Sequence, residues 1–226
     1  MNRRIAIGDI HGCELTLRKL LFDNLAIDKD DEIYLLGDLI DRGPRIREVI
    51  DDILQLRKYG YNLKAIKGNH EWLLIKSLKD NSVYDLWMLN KGMTTLRSFD
   101  INDAAHLPDE YLIFFKKMPS FVELEDFILI HGGLNFEKKK PLKHKKSMVW
   151  IRNDKIRNKD MEEIGGKRLI VGHTPTPLKQ ILKLNKTNRI LIDGGCVYKG
   201  IHKRLGFLVA YDMTNNKFHY EANIDY

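Results

Sequence analysis

The sequence predicts an α/β fold, and three observations carry that reading. Apolar runs of strand length alternate with amphipathic helical segments through the first third of the 226 residues. From Ser120 onward strand-like runs dominate. Five short polar clusters also recur along the chain: Gly8-Asp9-Ile10-His11-Gly12, Gly37-Asp38-Leu39-Ile40-Asp41-Arg42-Gly43, Gly68-Asn69-His70-Glu71, His131-Gly132-Gly133 and Gly172-His173-Thr174. All but the Gly68 cluster directly follow a run that reads as a buried strand, and that one follows the weaker run Leu63-Lys64-Ala65-Ile66.

A strand over residues 3–7 leads through the first cluster to a helix with Leu15, Leu17, Leu20 and Leu21 near its apolar face. A second strand over 32–36 leads to a helix carrying Ile46, Val49, Ile50, Ile53, Leu54 and Leu56, at the spacing of one helical face. A third over 62–67 leads to a helix with Trp72, Leu73, Leu74 and Leu78. Successive βαβ units imply parallel pairing with right-handed crossovers. Ligands then belong at the carboxyl ends of the strands. Residues 80–117 change character. They are helix-like, carry Trp87, Leu96, Tyr111 and Phe115 and hold no metal-type cluster, so they are read as a helical insertion beside the site. Strands follow over 121–125, 127–130, 168–171, 189–192 and 205–211, with a last short one at 217–220. Without repeat, low-complexity tract or linker, one domain over residues 1–226 is expected.

Apolar residues make up 43% and charged residues 31%, ordinary for a soluble globular chain. No apolar stretch approaches the roughly 18 residues of a membrane helix. Met1-Asn2-Arg3-Arg4-Ile5 enters a strand without the apolar core of a signal peptide. A cytoplasmic protein with no membrane partner is expected. Cys13 and Cys196 are too few for a disulfide framework and are read as small buried residues. The formal charge of +7 favours anions, and much of it lies in the lysine-rich run from Lys138 to Lys146. That run is read first as a solvated loop, with a patch steering acidic or phosphorylated substrates as the alternative. No interleaved aromatics or binding module point to specific nucleic acid.

The clusters carry the chemistry. Asp9 and His11 lie two apart, so in an extended segment both side chains point the same way. A carboxylate plus an imidazole suits Mn, Fe or Zn better than Ca or Mg. Asp38 opens the second cluster, and the two oxygens of a carboxylate can bridge cations about 3.5–4 Å apart. Asn69, His131 and His173 supply neutral ligands after later strands. Any one of these histidines alone would read as an ordinary core or surface residue. Ligand types delivered repeatedly to strand ends point instead to a two-metal hydrolytic centre.

Residues 8–12, 37–43 and 68–71 resemble the GDxHG, GDxxDRG and GNHE motifs of the phosphoprotein phosphatase family, within the calcineurin-like metallophosphoesterases. His131-Gly132-Gly133 and Gly172-His173-Thr174 match that family's remaining metal motifs in the same order. The Trp150-Ile151-Arg152 element and the segment holding Trp87, Gly92, Thr95 and Leu96 look like its small bacterial and phage branch. The resemblance runs over about residues 3–211. It implies a four-layer αββα sandwich of two mixed β-sheets flanked by helices. It also implies two metal ions, manganese first, with iron or zinc as alternatives. Asp9, His11 and Asp38 would hold one, and Asp38, Asn69, His131 and His173 the other, with Asp38 bridging. Water activated between the metals would attack phosphorus directly, without a phosphoenzyme. His70 would be the general acid, oriented by Asp41, while Arg42 and Arg152, together with Asn69, would bind the phosphate oxygens.

On that resemblance the expected activity is removal of phosphate from phosphoserine and phosphothreonine in proteins or peptides, with phosphotyrosine as a further substrate. The alternative is dinucleoside polyphosphate hydrolysis, in a family that commonly replaces the aspartate found here as Asp41. A nuclease or cyclic phosphodiesterase would not be expected to carry the Asp41-Arg42 pair. A binding module that had lost catalysis would lack ligands or His70, and here every position is filled. Glu71 is expected to support the site without ligating metal, Asp193 to make a turn or line the site, and Val197 and Tyr198 to border the substrate.

Overall fold

Alternation of side chains along each strand sorts the apolar residues onto two faces, and both faces find partners. In the computed structural model, which describes residues 2–152 and 156–226, the first third runs β1 (Arg4–Ile7), α1 (Glu14–Lys19), β2 (Glu32–Leu35), α2 (Ile46–Lys58), β3 (Asn62–Ala65) and α3 (Asn69–Ser77). Three helices follow: α4 (Asn81–Leu89), α5 (Gly92–Ser98) and α6 (Asp109–Lys117). The remainder runs β4 (Phe121–Glu123), β5 (Phe127–Ile130), α7 (Lys145–Trp150), α8 (Asn158–Glu162), β6 (Arg168–Val171), α9 (Leu178–Ile181), β7 (Arg189–Leu191), β8 (Phe207–Asp212) and β9 (Lys217–Ala222).

One sheet has the order β3-β2-β1-β8-β9 and the other β4-β5-β6-β7. In the first, β1 pairs in parallel with β2, and β2 with β3, while β8 pairs antiparallel with both β1 and β9. In the second, β5, β6 and β7 are parallel and β4 is antiparallel. Ala6, Tyr34, Val209 and Tyr211 of the first sheet meet Phe127, Leu129, Ile170 and Ile190 of the second, forming the inter-sheet core. Their strand neighbours face the other way. Ile5, Ile7, Ile33 and Leu35 pack under Leu17, Val49, Leu73, Trp87, Leu96 and Phe115 from α1 to α6. Ile128, Ile130, Leu169 and Val171 pack under Met148 and Met161 from α7 and α8. The result is the four-layer αββα sandwich, two mixed sheets flanked by helices.

Element boundaries differ from the sequence expectation at a few points. The third strand ends at Ala65 rather than at 67, because the Lys67 N–H leaves the sheet to donate to Pro119 O at 2.8 Å. The last strand is longer than expected, since β9 pairs along the whole of β8 from Phe207–Ala222 to Asp212–Lys217. Leu15 is exposed rather than on the buried face, because two residues of α-helix set it about 200° round the axis from buried Leu17. Among the described residues no helix is long and apolar enough to cross a membrane.

Candidate metal centre and active site

The loops after β1, β2, β3, β5 and β6 converge at one end of the sandwich, where both sheets present strand carboxyl ends. Backbone hydrogen bonds lock the first two together: Ile10 N and His11 N donate to Asp38 O at 3.2 and 2.9 Å, and Gly12 N to Leu39 O at 2.9 Å. The sheets are joined at the site when His173 N donates to both carboxylate oxygens of Asp9, each at 3.1 Å. His11, Asp38, Asp41, Arg42 and His173 all have positive φ, between +47° and +70°. Non-glycine residues adopt that region at a cost of about 1–3 kcal/mol each, sustained only where surroundings over-determine it.

Glu71 supplies much of that determination. Its buried carboxylate accepts from Asp38 N at 3.0 Å, Leu39 N at 2.7 Å, Ile40 N at 3.4 Å and Gly68 N at 2.8 Å. It therefore clamps the Asp38 turn onto the start of α3. Gly68 and Gly172 permit the close approach this needs. A Cβ on Gly68 would lie 2.2 Å from Asp38 Oδ1, and one on Gly172 2.2 Å from Asp9 Oδ1.

Asp38 sits at the centre. Its Oδ1 accepts from His70 N at 3.1 Å, and its Oδ2 faces His131 Nε2 at 3.3 Å, His11 Nε2 at 3.6 Å and His70 Nε2 at 3.9 Å. Burial opposes its ionisation, yet His131, His70 and His11 outweigh burial and hold its pKa well below the usual carboxylate range. His131 titrates against the same field. Burial pulls it down, but the carboxylates of Asp38 and Asp9 push it up to about 10. A place that holds a proton this strongly is one where a cation is favoured.

The imidazoles are oriented for that purpose. His11 Nδ1 donates to Ile40 O at 2.7 Å, and His131 Nδ1 to Leu36 O at 2.8 Å, so Nε2 is the ring nitrogen that each turns to the centre. His131 Nε2 lies 3.0 Å from Asn69 Oδ1, two acceptors that need a proton or a cation between them. His173 hydrogen-bonds the Trp150 backbone, and its Nε2 is buried without a partner. Burial, with the nearby His131 and Arg152 charges, pushes His173 down to about 3, which keeps it neutral and ligating. Asp38, His131 and His173 bring ligand atoms within 4.8 Å of one another, as do His11, Asp38 and His70. This donor set, with its orphaned nitrogen and converging acceptors, fits two divalent transition metals. Asp9 stands at the same edge. Burial and the adjacent Asp193 push its pKa well up, a penalty that a cation against the pair would reverse.

A second constellation adjoins the first. His70 Nδ1 donates to Asp41 Oδ2 at 2.5 Å, leaving Nε2 buried and unpartnered. Asp41 is held in turn by Trp87 Nε1, which donates to Oδ2 at 2.9 Å, and by the Thr95 hydroxyl, which donates to Oδ1. Trp87 lies on α4 and Thr95 on α5, so the helical segment does more than flank the site. Its residues orient the Asp41–His70 pair, a role beyond what the sequence pattern assigns them. A buried indole N–H requires an acceptor, and that was the available signal. Gly92 lets α5 close on this tryptophan, since a Cβ there would meet the ring at 2.6 Å. Trp87→Phe keeps the packing and removes the donor. It is expected to lower kcat about tenfold with little change in KM, and steady-state kinetics on a phosphate ester with a basic leaving group would show it. An unchanged kcat would leave Trp87 a packing residue only.

Arg42 and Tyr198 border the centre. Arg42 Nη1 donates to His11 Nε2 at 2.5 Å, and its guanidinium stacks on Tyr198 with 5.7 Å to the ring centroid. Beyond Arg42 opens a cavity of about 480 Å³ lined by Lys91, Tyr198, Lys199, Ile201 and Tyr226. Arg152 is exposed, on the His173 side. Asp193 is buried against Asp9, accepts Gly195 N at 2.9 Å, and is pushed up to about 6 by burial; it supports the site as well as making a turn. Cys13 and Cys196 are buried and free.

The arrangement has relatives. A symmetrical bis(5'-nucleosyl)-tetraphosphatase of Buchnera aphidicola is 36% identical over 135 residues, 57% of this chain and 42% of its own length, so this chain spans less than half of that relative. An asymmetrical bis(5'-nucleosyl)-tetraphosphatase of Anoxybacillus flavithermus is 27% identical over 86% of both chains. Serine/threonine-protein phosphatase 1 of Salmonella typhimurium is 27% identical over 86% of this chain and 87% of its own. The family model for calcineurin-like phosphoesterases matches residues 3–213, nearly the whole sandwich and every loop of the centre, and this chain belongs to that family.

Proposed function

We propose that this metallophosphoesterase removes phosphate from phosphoserine and phosphothreonine in polypeptides. The observation that carries the reading is the Asp41–His70 pair with its unpartnered Nε2. A serine or threonine alkoxide is a strongly basic leaving group and needs a proton as the ester bond breaks. A nucleotide leaving through a polyphosphate oxygen is far less basic and needs no such donor. Asp41 orients the ring and aims Nε2, and Trp87 and Thr95 hold Asp41 in place.

Asp9, His11 and Asp38 are assigned to one metal, and Asp38, Asn69, His131 and His173 to the second. When bound, the two ions supply Lewis acidity that activates water and neutralises charge on the phosphate. Asn69 turns its carbonyl oxygen toward His131, which leaves its amide N–H groups for the phosphate. Arg42 and Arg152 are assigned to the non-bridging oxygens, where a guanidinium fork matches the geometry. Arg42 must then leave the His11 lone pair it now occupies.

Dinucleoside polyphosphate hydrolysis is the second reading, and the relatives' names favour it more than the first. The cavity beside Arg42 supports it as well, since Tyr198 and Tyr226 offer faces for a base and Lys91 and Lys199 offer charges for further phosphates. The test is side-by-side hydrolysis of a phosphoserine peptide and a dinucleoside tetraphosphate, by protein stripped of metal and given manganese back. Manganese-dependent phosphate release from the peptide, at a kcat/KM at least tenfold above that for the dinucleotide, is the expected outcome. The reverse ratio would transfer the function to nucleotide hydrolysis.

A further inference from the structure

The lysine run, read from the sequence first as a solvated loop and alternatively as a patch steering acidic or phosphorylated substrates, ends in a helix tied to the metal centre. Residues 138–152 hold six lysines and Arg152 and no carboxylate, a formal +7 that equals the formal net charge of the entire chain. Its second half forms α7, whose Met148 O accepts from Gly132 N at 2.7 Å and Gly133 N at 3.3 Å, tying it to the loop that carries His131. At the end of α7, Trp150 meets His173 edge-on with ring centroids 6.3 Å apart, and Trp72 in the same way at 6.3 Å. Lys146 Nζ lies 5.7 Å over the Trp72 ring. Lys67, which immediately precedes the Gly68 cluster, is pushed down by burial, and it feels the charge of Glu71 as well as those of Lys145 and Lys76. Among the described residues no salt bridge engages Lys67, Lys76, Lys138, Lys139, Lys140, Lys143, Lys145 or Lys146.

We propose that this lysine and tryptophan face is a docking surface for acidic residues flanking the phosphorylated residue of a polypeptide substrate. The proposal rests on the phosphopeptide reading above. The path from His173 through Trp150 and Trp72 to Lys146 is three steps of 6.3, 6.3 and 5.7 Å. An extended peptide with its phosphate at the metals covers such a path in at most about five residues, at roughly 3.3–3.6 Å each. Carboxylates within that reach meet lysines whose charge no salt bridge among the described residues neutralises, and the half-buried tryptophan edges receive the peptide backbone and apolar stems. Screened Coulomb attraction extends about 8–10 Å at physiological salt, so the face also captures acidic segments before the phosphate is seated.

The test compares binding and turnover of two phosphoserine peptides, one with glutamates at the flanking positions and one with alanines. Binding is read by anisotropy of labelled phosphonate analogues, independently of hydrolysis. The wild-type protein is expected to bind the acidic peptide at least tenfold more tightly, with the difference shrinking as salt rises. Lys145→Glu combined with Lys146→Glu is expected to remove that difference, and Lys145→Arg with Lys146→Arg to keep it. Turnover of a small aryl phosphate should be unchanged in both variants, which shows that the fold and the centre are intact. Equal binding of the two peptides by wild-type protein would overturn the proposal. So would a charge-reversed variant that still prefers the acidic peptide, or a single-stranded oligonucleotide that displaces it at lower concentration. Failure to hydrolyse any phosphopeptide while the aryl phosphate and the dinucleotide turn over would instead sink the phosphopeptide reading, and the anisotropy would still decide the docking face.

Discussion

Replacing His70 with asparagine is expected to lower kcat on a phosphoserine peptide by about 10²–10⁴-fold, the range for loss of a positioned general acid. The metal content should stay at two per chain. His70 Nε2 lies 3.9 Å from Asp38 Oδ2 and shares a 4.8 Å cluster with His11 and Asp38, so geometry alone would also admit it as a ligand. The anchoring of Nδ1 by a fully buried carboxylate argues for the acid, because that pairing orients the ring to deliver a proton from Nε2. An aryl phosphate whose leaving group is a weak base should lose less than about tenfold in the same variant. Equal losses on the two substrates would remove His70 from proton transfer, and loss of a metal ion would make it a ligand.

Glu71→Ala is expected to be the most destabilising single change at the site. Four backbone N–H groups converge on this side chain, from Asp38, Leu39, Ile40 and Gly68. Each buried donor left unpaired costs about 1–3 kcal/mol, and partial relaxation lets water reach some of them. A net loss of at least about 3 kcal/mol follows, which for a chain of this size lowers Tm by roughly 6–12 °C. The same turn holds Asp38 at positive φ, so metal affinity should fall even at temperatures where the variant is fully folded. Thermal unfolding together with metal titration at low temperature would check both. A Tm within about 2 °C of wild type would show that Glu71 is not the clamp, and unchanged metal affinity would confine it to stability.

These two residues differ in how openly the chain announces them. His70 lies in a cluster whose spacing is already suggestive, and its neighbours Asn69 and Glu71 are adjacent in sequence. Motifs of this kind are legible because each loop must supply its ligands within a few residues of a strand end, where the backbone turns tightly. The alternating strands are legible for a related reason. Both faces of β5 are buried, so all four residues of Phe127–Ile130 are apolar. The sequence favours a supporting role for Glu71 over metal ligation, but only the fold shows that the support is to the backbone, through four N–H groups from two loops.

Sequence spacing by itself determined a βαβ start and strand-end clusters of oxygen and nitrogen ligands suited to a two-metal hydrolytic centre, while the roles of Asp41, His70 and Arg42 in phosphate ester hydrolysis were what the resemblance to a known family implied. Assembly of those parts came from contacts between distant segments. His173 reaches Asp9 across 164 residues, Trp87 reaches Asp41 across 46, and Thr95 reaches it across 54. The lysine run looked like a solvated loop because its composition is all that a linear reading sees. Only the fold shows that α7, which ends the run, is bonded to the loop that carries His131. Local propensity acts on neighbours within a turn or a strand, whereas the packing of two sheets brings those segments together, and no periodicity in the chain encodes which loop ends will meet.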